Sequence, residues 1–125
     1  MNAGKVLVVD DEIEVRHVLR EFLSSRGYAV SLAEDGPAAL ALLEAERPDL
    51  VLLDVAMPDM DGVETLRRII EAQPSLPVIM VTANADIGVT SRLLALGAVD
   101  YVPKPFDLDY LDQAVSIQVT AAQDR

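Results

Sequence analysis

The sequence predicts an α/β fold in which a five-stranded parallel sheet of order 2-1-3-4-5 carries five helices on its two faces. Three observations lead there. Residues 6–9, 50–53 and 78–81 are continuous apolar runs of strand length, as expected for strands buried on both faces of a parallel sheet. Segments with helical apolar spacing separate the strands, and their connections are short, so right-handed crossovers follow. Tyr28, Val30 and Leu32 alternate with Ala29 and Ser31, which marks a less buried strand at an edge.

The elements follow in order. The first strand ends on Asp10-Asp11. From Glu12 to Arg26, Val15, Val18, Leu19, Phe22 and Leu23 recur at helical spacing, and Gly27 stops the helix. Glu14, His17 and Glu21 fall on the opposite, solvent-facing side, so His17, the only histidine, receives no function. Asp35-Gly36-Pro37 opens the second helix, with Pro near its first turn, and Ala39, Leu40, Leu42 and Leu43 form its apolar side before Pro48.

The central strand, residues 50–53, stops on Asp54. Pro58 and Gly62 mark the loop before a third helix over residues 62–73, which turns Val63, Leu66, Ile69 and Ile70 inward. The fourth strand ends on Thr82. Asp86 caps a fourth helix running to Leu96 and Gly97; its first half holds Gly88, Val89 and Thr90, poor helix formers, and is its least stable part. A short fifth strand over residues 99–102 leads into Pro103-Lys104-Pro105-Phe106, and Asp107 caps a last helix to about Gln123. On that helix Leu108, Leu111, Val115, Val119 and Ala122 form a stripe expected to pack on the sheet. Tyr110, Ala114, Ile117 and Ala121 form a second stripe, turned away by the ~100° step per residue, which suits a partner or a dimer.

The 125 residues suit a single domain over 1–125, with no repeat, linker or effector domain in this chain. Half the residues are apolar, enough for a sizeable core, but no apolar run reaches the length of a membrane span. The chain has no cysteine and no signal-peptide layout at its start, so a cytoplasmic protein without membrane insertion is expected. A formal net charge of −11 argues against direct nucleic-acid binding and suits cations or basic partner surfaces.

An aspartate after a strand is most often a turn or cap residue. Here the strand order gathers more. Ligands of open α/β sheets bind beyond the carboxyl ends of the strands, at the point where the order reverses. The first and third strands meet there, so Asp10, Asp11 and Asp54 share one crevice with Thr82 and Lys104 from the loops after strands four and five. Three close carboxylates stay ionised only if cations compensate them. Lys104 is one; a hard divalent ion held by oxygen ligands, most plausibly Mg²⁺, is the other. A metal, an ammonium and a hydroxyl around one carboxylate are the groups that hold a phosphoryl group in transfer.

Val8-Val9-Asp10-Asp11-Glu12, Asp54 with Met57-Pro58-Asp59-Met60-Asp61-Gly62, Val81-Thr82-Ala83 and Asp100-Tyr101-Val102-Pro103-Lys104-Pro105-Phe106 together resemble the receiver domains of two-component response regulators, over nearly the whole chain. The fold implied is flavodoxin-like. The resemblance implies that Asp54 takes a phosphoryl group from a phosphohistidine on a sensor histidine kinase or phosphotransfer protein. Asp11 and Asp54 would bind Mg²⁺ (with Mn²⁺ as a substitute) directly, the Ala56 backbone carbonyl would be a further ligand, and Asp10 would act through water. Lys104 would pair with the phosphoryl oxygens, and the Lys104–Pro105 bond would be cis.

By the same resemblance Thr82 would swing onto the phosphoryl group and Tyr101 would turn into the space it leaves. That would repack the surface of the fourth helix, fifth strand and fifth helix toward a partner or an appended output domain. Such a domain is a phosphoacceptor, not an enzyme beyond its own phosphotransfer and dephosphorylation. The resemblance also implies that Ala56 and Asn84, two positions past Asp54 and Thr82, would tune the phosphoryl lifetime. Ala56 has no side chain to orient water and Asn84 cannot act as a base, so slow self-dephosphorylation is expected. Receivers joined to winged-helix domains resemble one another in a charged face on the last helix and a paired Asp before the strand-five Tyr. This chain has Val99-Asp100-Tyr101 and no Lys or Arg between Asp107 and Gln123, so the resemblance does not extend to a salt-bridged dimer of that type.

Two other classes compete. A phosphorylation-independent docking module need not keep all five site residues. An aspartyl-phosphate hydrolase carries Asp-x-Asp, where this chain has Ala56. Nothing marks a flavin site.

Overall fold

The computed structural model describes residues 3–54, 62–83 and 87–123, with the backbone alone at 87–89. Its elements run β1 (Gly4–Val9), α1 (Ile13–Ser25), β2 (Tyr28–Ala33), α2 (Gly36–Glu46), β3 (Leu50–Asp54), α3 (Gly62–Ala72), β4 (Val78–Thr82), α4 (Ile87–Leu96), β5 (Asp100–Pro103) and α5 (Leu108–Gln123). The sheet is parallel, in the order β2-β1-β3-β4-β5. This is the order expected from the apolar runs and the alternating edge strand.

Strand side chains alternate between the two faces, and each face has its own core. Val6, Val8, Leu50, Leu52, Ile79, Val81 and Val102 meet Leu19 and Leu23 of α1 and Leu111, Val115 and Val119 of α5. Leu7, Val9, Val51, Leu53, Val78 and Met80 meet Ala39 and Leu43 of α2, Leu66 and Ile69 of α3, and Leu93 of α4. The sheet is therefore dry on both sides, and only its edges and strand ends reach solvent. Edge strand β2 is only half-buried from Tyr28 to Leu32, and its Tyr28, Val30 and Leu32 lean on the α1/α5 core.

Local chemistry places the helix ends. The Asp35 carboxylate accepts from the Ala38 N–H at 2.8 Å, with Pro37 in the first turn of α2. Asp107 accepts from the Asp109 and Tyr110 amides at 3.0 and 3.2 Å to open α5. Gly97 follows α4 at φ +122°, a backbone conformation that favours glycine, and an added Cβ would also push against Ile70 Cδ1 of α3. The expected Asp86 cap lies outside the described residues.

Glu14, His17 and Glu21 are exposed, as expected, but two helix faces differ in detail from the sequence reading. Val18 of α1 is 49% exposed although it shares the apolar spacing. The seam of α1 runs through Leu19 and Leu23, and Val18 lies at its margin. On α5, Leu108 is exposed rather than packed on the sheet, while Ala114 is buried rather than on the outward stripe. Burial starts one turn later, at Leu111, and the i+3 position after Leu111 belongs to the same face as the i+4 position. The outward face keeps Tyr110, Ile117 and Ala121.

Candidate functional site

The carboxyl ends of β1, β3 and β4 each deliver one buried polar residue: Asp10 just past β1, Asp54 as the last residue of β3, and Thr82 as the last of β4. The register fixes their spacing. Val9 stands beside Leu53, Asp54 beside Val81, and Thr82 beside Pro103. Asp10 continues the ladder beyond β1 by donating its N–H to the Ala33 carbonyl at 3.1 Å.

Lys104 arrives from the opposite side. Its backbone N–H donates to the Thr82 carbonyl at 2.8 Å, which ties the loop after β5 to the end of β4. The following Lys104–Pro105 bond is cis, as expected. The ammonium then reaches across the sheet to Asp10 Oδ2 at 2.8 Å, with Asp54 Oδ2 and Glu12 Oε1 each 3.5 Å away. One cation thus bridges the carboxylates of neighbouring strands. Burial pulls the Lys104 pKa down, but the hydrogen bond it donates to Asp10 and the charges of Asp10, Asp54 and Glu12 outweigh it, and the net shift is upward. Lys104 stays an ammonium at neutral pH.

Asp11 and Glu12 are exposed at the mouth. With Asp10 they form a cluster whose carboxylate oxygens all lie within 4.8 Å of one another. Asp10 Oδ1 shapes this loop by accepting from the Glu12 N–H at 2.9 Å. Oxygen donors packed so closely suit a hard divalent cation, and a single ammonium leaves most of their charge uncompensated. Glu12 is the residue sequence reasoning passed over as a site member. A third acid directly after Asp10-Asp11 was the signal.

Tyr101 lies on β5 beside Met80 and packs, half-buried, against the core shared by α2, α3 and α4. Its neighbour Asp100 accepts from the Tyr110 hydroxyl at 3.0 and 3.1 Å, which joins β5 to the first turn of α5. Ala56 and Asn84 lie outside the described residues. Four of the five residues predicted to share the crevice (Asp10, Asp54, Thr82 and Lys104) therefore line its floor, and Asp11 stands at its rim.

The fold and much of the sequence are shared with known proteins. Residues 6–116 match the family model of the response regulator receiver domain. The response regulator MprA of Mycolicibacterium vanbaalenii is 46% identical over 107 residues, which cover 86% of this chain and 46% of that protein. The chain thus spans about half the length of the curated relatives it matches. Among solved structures, NtrX from Brucella abortus superposes with a TM-score of 0.91 at 32% identity, covering 97% of this chain and 28% of that one. A CheY-like receiver domain from Methanospirillum hungatei gives a TM-score of 0.90 at 29% identity over 96% of both chains. The match spans the sheet together with the strand ends that carry the carboxylates and the lysine, and the chain belongs to the receiver domain family of two-component response regulators.

Proposed function

We propose that this domain accepts a phosphoryl group onto Asp54 from a phosphohistidine of a sensor histidine kinase or phosphotransfer protein. The observation that carries the proposal is the Lys104 ammonium poised between Asp10 and Asp54 at the carboxyl end of the sheet. An Asp54 carboxylate oxygen attacks phosphorus, the P–N bond to the donor imidazole breaks, and the imidazole nitrogen leaves with the electron pair. The product is an acyl phosphate. Lys104 is within reach of the new phosphoryl oxygens, and the Thr82 hydroxyl, at the end of the adjacent strand, donates to another.

Asp11, Asp54 and the Ala56 carbonyl, with Asp10 through water, would hold Mg²⁺ or Mn²⁺, which when bound neutralises charge on the transferring phosphoryl oxygens. Asp10 meanwhile keeps Lys104 in place. Beside Lys104, Val15, Val18, Pro105 and Phe106 line an apolar cleft of about 260 Å³ between α1 and the loop after β5. A donor helix seated there brings its phosphohistidine over Asp54, and the exposure of Val18 fits that use.

Phosphorylation then draws Thr82 toward the phosphoryl group and lets Tyr101 turn inward, changing the α4-β5-α5 surface. The output is a partner or an appended domain, consistent with relatives about twice this length. The exposed Tyr110, Ile117 and Ala121 offer α5 as a dimer face. We place the domain in the cytoplasm, where a phosphohistidine donor of this kind would meet it; no helix among the described residues is long and apolar enough to cross a membrane. Its acidity argues against direct nucleic-acid contact.

The test is transfer of a labelled phosphoryl group from a phosphohistidine protein, yielding a product cleaved by hydroxylamine as acyl phosphates are. No transfer from any phosphohistidine donor, with the fold intact, would favour a docking module. Ala56 and Asn84 supply no base, so the acyl phosphate should be long-lived. Ala56→Asn, which adds an amide able to orient water, should hasten its decay severalfold. A decay no faster than that of the parent would remove Ala56 as the tuning position.

A further inference from the structure

We propose that Arg16 is the positioning residue of the acidic loop. Its guanidinium holds the Asp10 carbonyl and so aims Asp11, the residue of that loop that would bind the divalent cation directly. The inference rests on the metal site of the preceding reading and assigns a residue that the reading leaves unused.

Arg16 sits in the first turn of α1, where helix geometry favours an anion and a cation is electrostatically misplaced. Its place needs a compensating contact, and the structure supplies one. Arg16 is half-buried, and Nη1 donates to the Asp10 carbonyl oxygen at 2.7 Å. A short, charge-assisted bond of this kind is roughly twice as strong as a neutral one.

Every other polar atom of Asp10 is also engaged. The N–H goes to the Ala33 carbonyl, Oδ1 takes the Glu12 N–H, and Oδ2 takes the Lys104 ammonium. The first of these bonds anchors Asp10 to the edge strand. The second and third orient its side chain. The turn closed by Glu12 encloses the Asp10–Asp11 peptide, and among the described residues Arg16 is the group that holds that peptide's carbonyl oxygen, so together they set the direction in which the Asp11 side chain leaves the backbone.

Three adjacent carboxylates with oxygens within 4.8 Å repel one another; Lys104 draws in Asp10 and Glu12, so it is the exposed Asp11 that an unrestrained loop would turn outward. Arg16 opposes that motion by geometry and by placing a positive charge behind the loop. It touches neither metal nor phosphoryl group; it acts through the Asp10–Asp11 peptide.

The experiment is calorimetric titration with Mg²⁺ of the parent, Arg16→Met and Arg16→Lys, beside metal-free thermal unfolding of each. Arg16→Met should weaken Mg²⁺ about tenfold or more, the usual effect of removing a group that orients a ligand. Phosphorylation should show the same loss as a higher Mg²⁺ requirement, with the rate recovering at saturating Mg²⁺. Arg16→Lys keeps a donor but not the planar fork and should fall between the two. An Arg16→Met affinity within about twofold of the parent, with cooperative unfolding, overturns the proposal. If Arg16→Met does not fold, Arg16→Lys decides: a loss of about threefold supports the proposal and parental affinity overturns it. A parent that binds no Mg²⁺ sinks the metal reading, and this inference with it, and is told apart by its own flat titration.

Discussion

Asp54→Asn should abolish phosphoryl acceptance, lowering the transfer rate from a phosphohistidine donor by on the order of 10³-fold or more, as removal of a nucleophile does. The substitution is nearly isosteric, so the site keeps its shape. It also removes one of two buried carboxylates that share a single ammonium, and the fold should be no less stable than the parent. Loss of transfer with retained stability separates chemistry from structure. A variant that still accepts phosphoryl groups at the parental rate would place the acceptor elsewhere, with exposed Asp11 the first residue to map.

Lys104→Met should have the largest effect on the fold itself. The ammonium is mostly buried against Asp10, whose side chain is 2% exposed, and stands 3.5 Å from Asp54 at 5%. Removing one partner of a buried pair leaves the other charge uncompensated, at a cost of roughly 3 kcal/mol. Urea unfolding at neutral pH reads this directly. The Lys104→Met, Asp10→Asn double variant should recover much of the loss, since it removes the orphaned charge as well. Two independent, additive losses would mean that the pair is not coupled. The pH dependence has a defined sign. The lysine pKa is raised in the folded state, so the pairing's stabilisation is complete below the pKa of an unfolded lysine and is lost only as pH climbs through the raised value.

The fold was legible because continuous apolar runs leave few alternatives. Residues 50–53 carry no polar face, so they had to be a strand covered on both sides, and β3 is buried throughout. The edge strand was legible through the alternation of Tyr28, Val30 and Leu32. Once that order was fixed, the meeting of Asp10 and Asp54 followed from topology alone. The partner of Lys104 did not. Sequence places the lysine in the loop after β5, but its choice of Asp10 at 2.8 Å over Asp54 at 3.5 Å depends on the turn that hangs from the Thr82 carbonyl. Helix faces were legible to within one position. Periodicity finds the centre of a stripe, while packing decides its margins, and hence Val18 and Leu108 are exposed and Ala114 is buried. Glu12 was legible as a third acid in a row, while the bond from Arg16 was hidden because it runs to a backbone carbonyl, which no residue pattern displays.

The most direct measurement is the intact mass of the chain after incubation with a small acyl-phosphate donor, with and without Mg²⁺, followed by mapping of the modified residue. The account predicts one phosphoryl adduct, on Asp54, formed only with the divalent cation. An adduct that forms equally well when Mg²⁺ is chelated, or that maps away from Asp54, would contradict it.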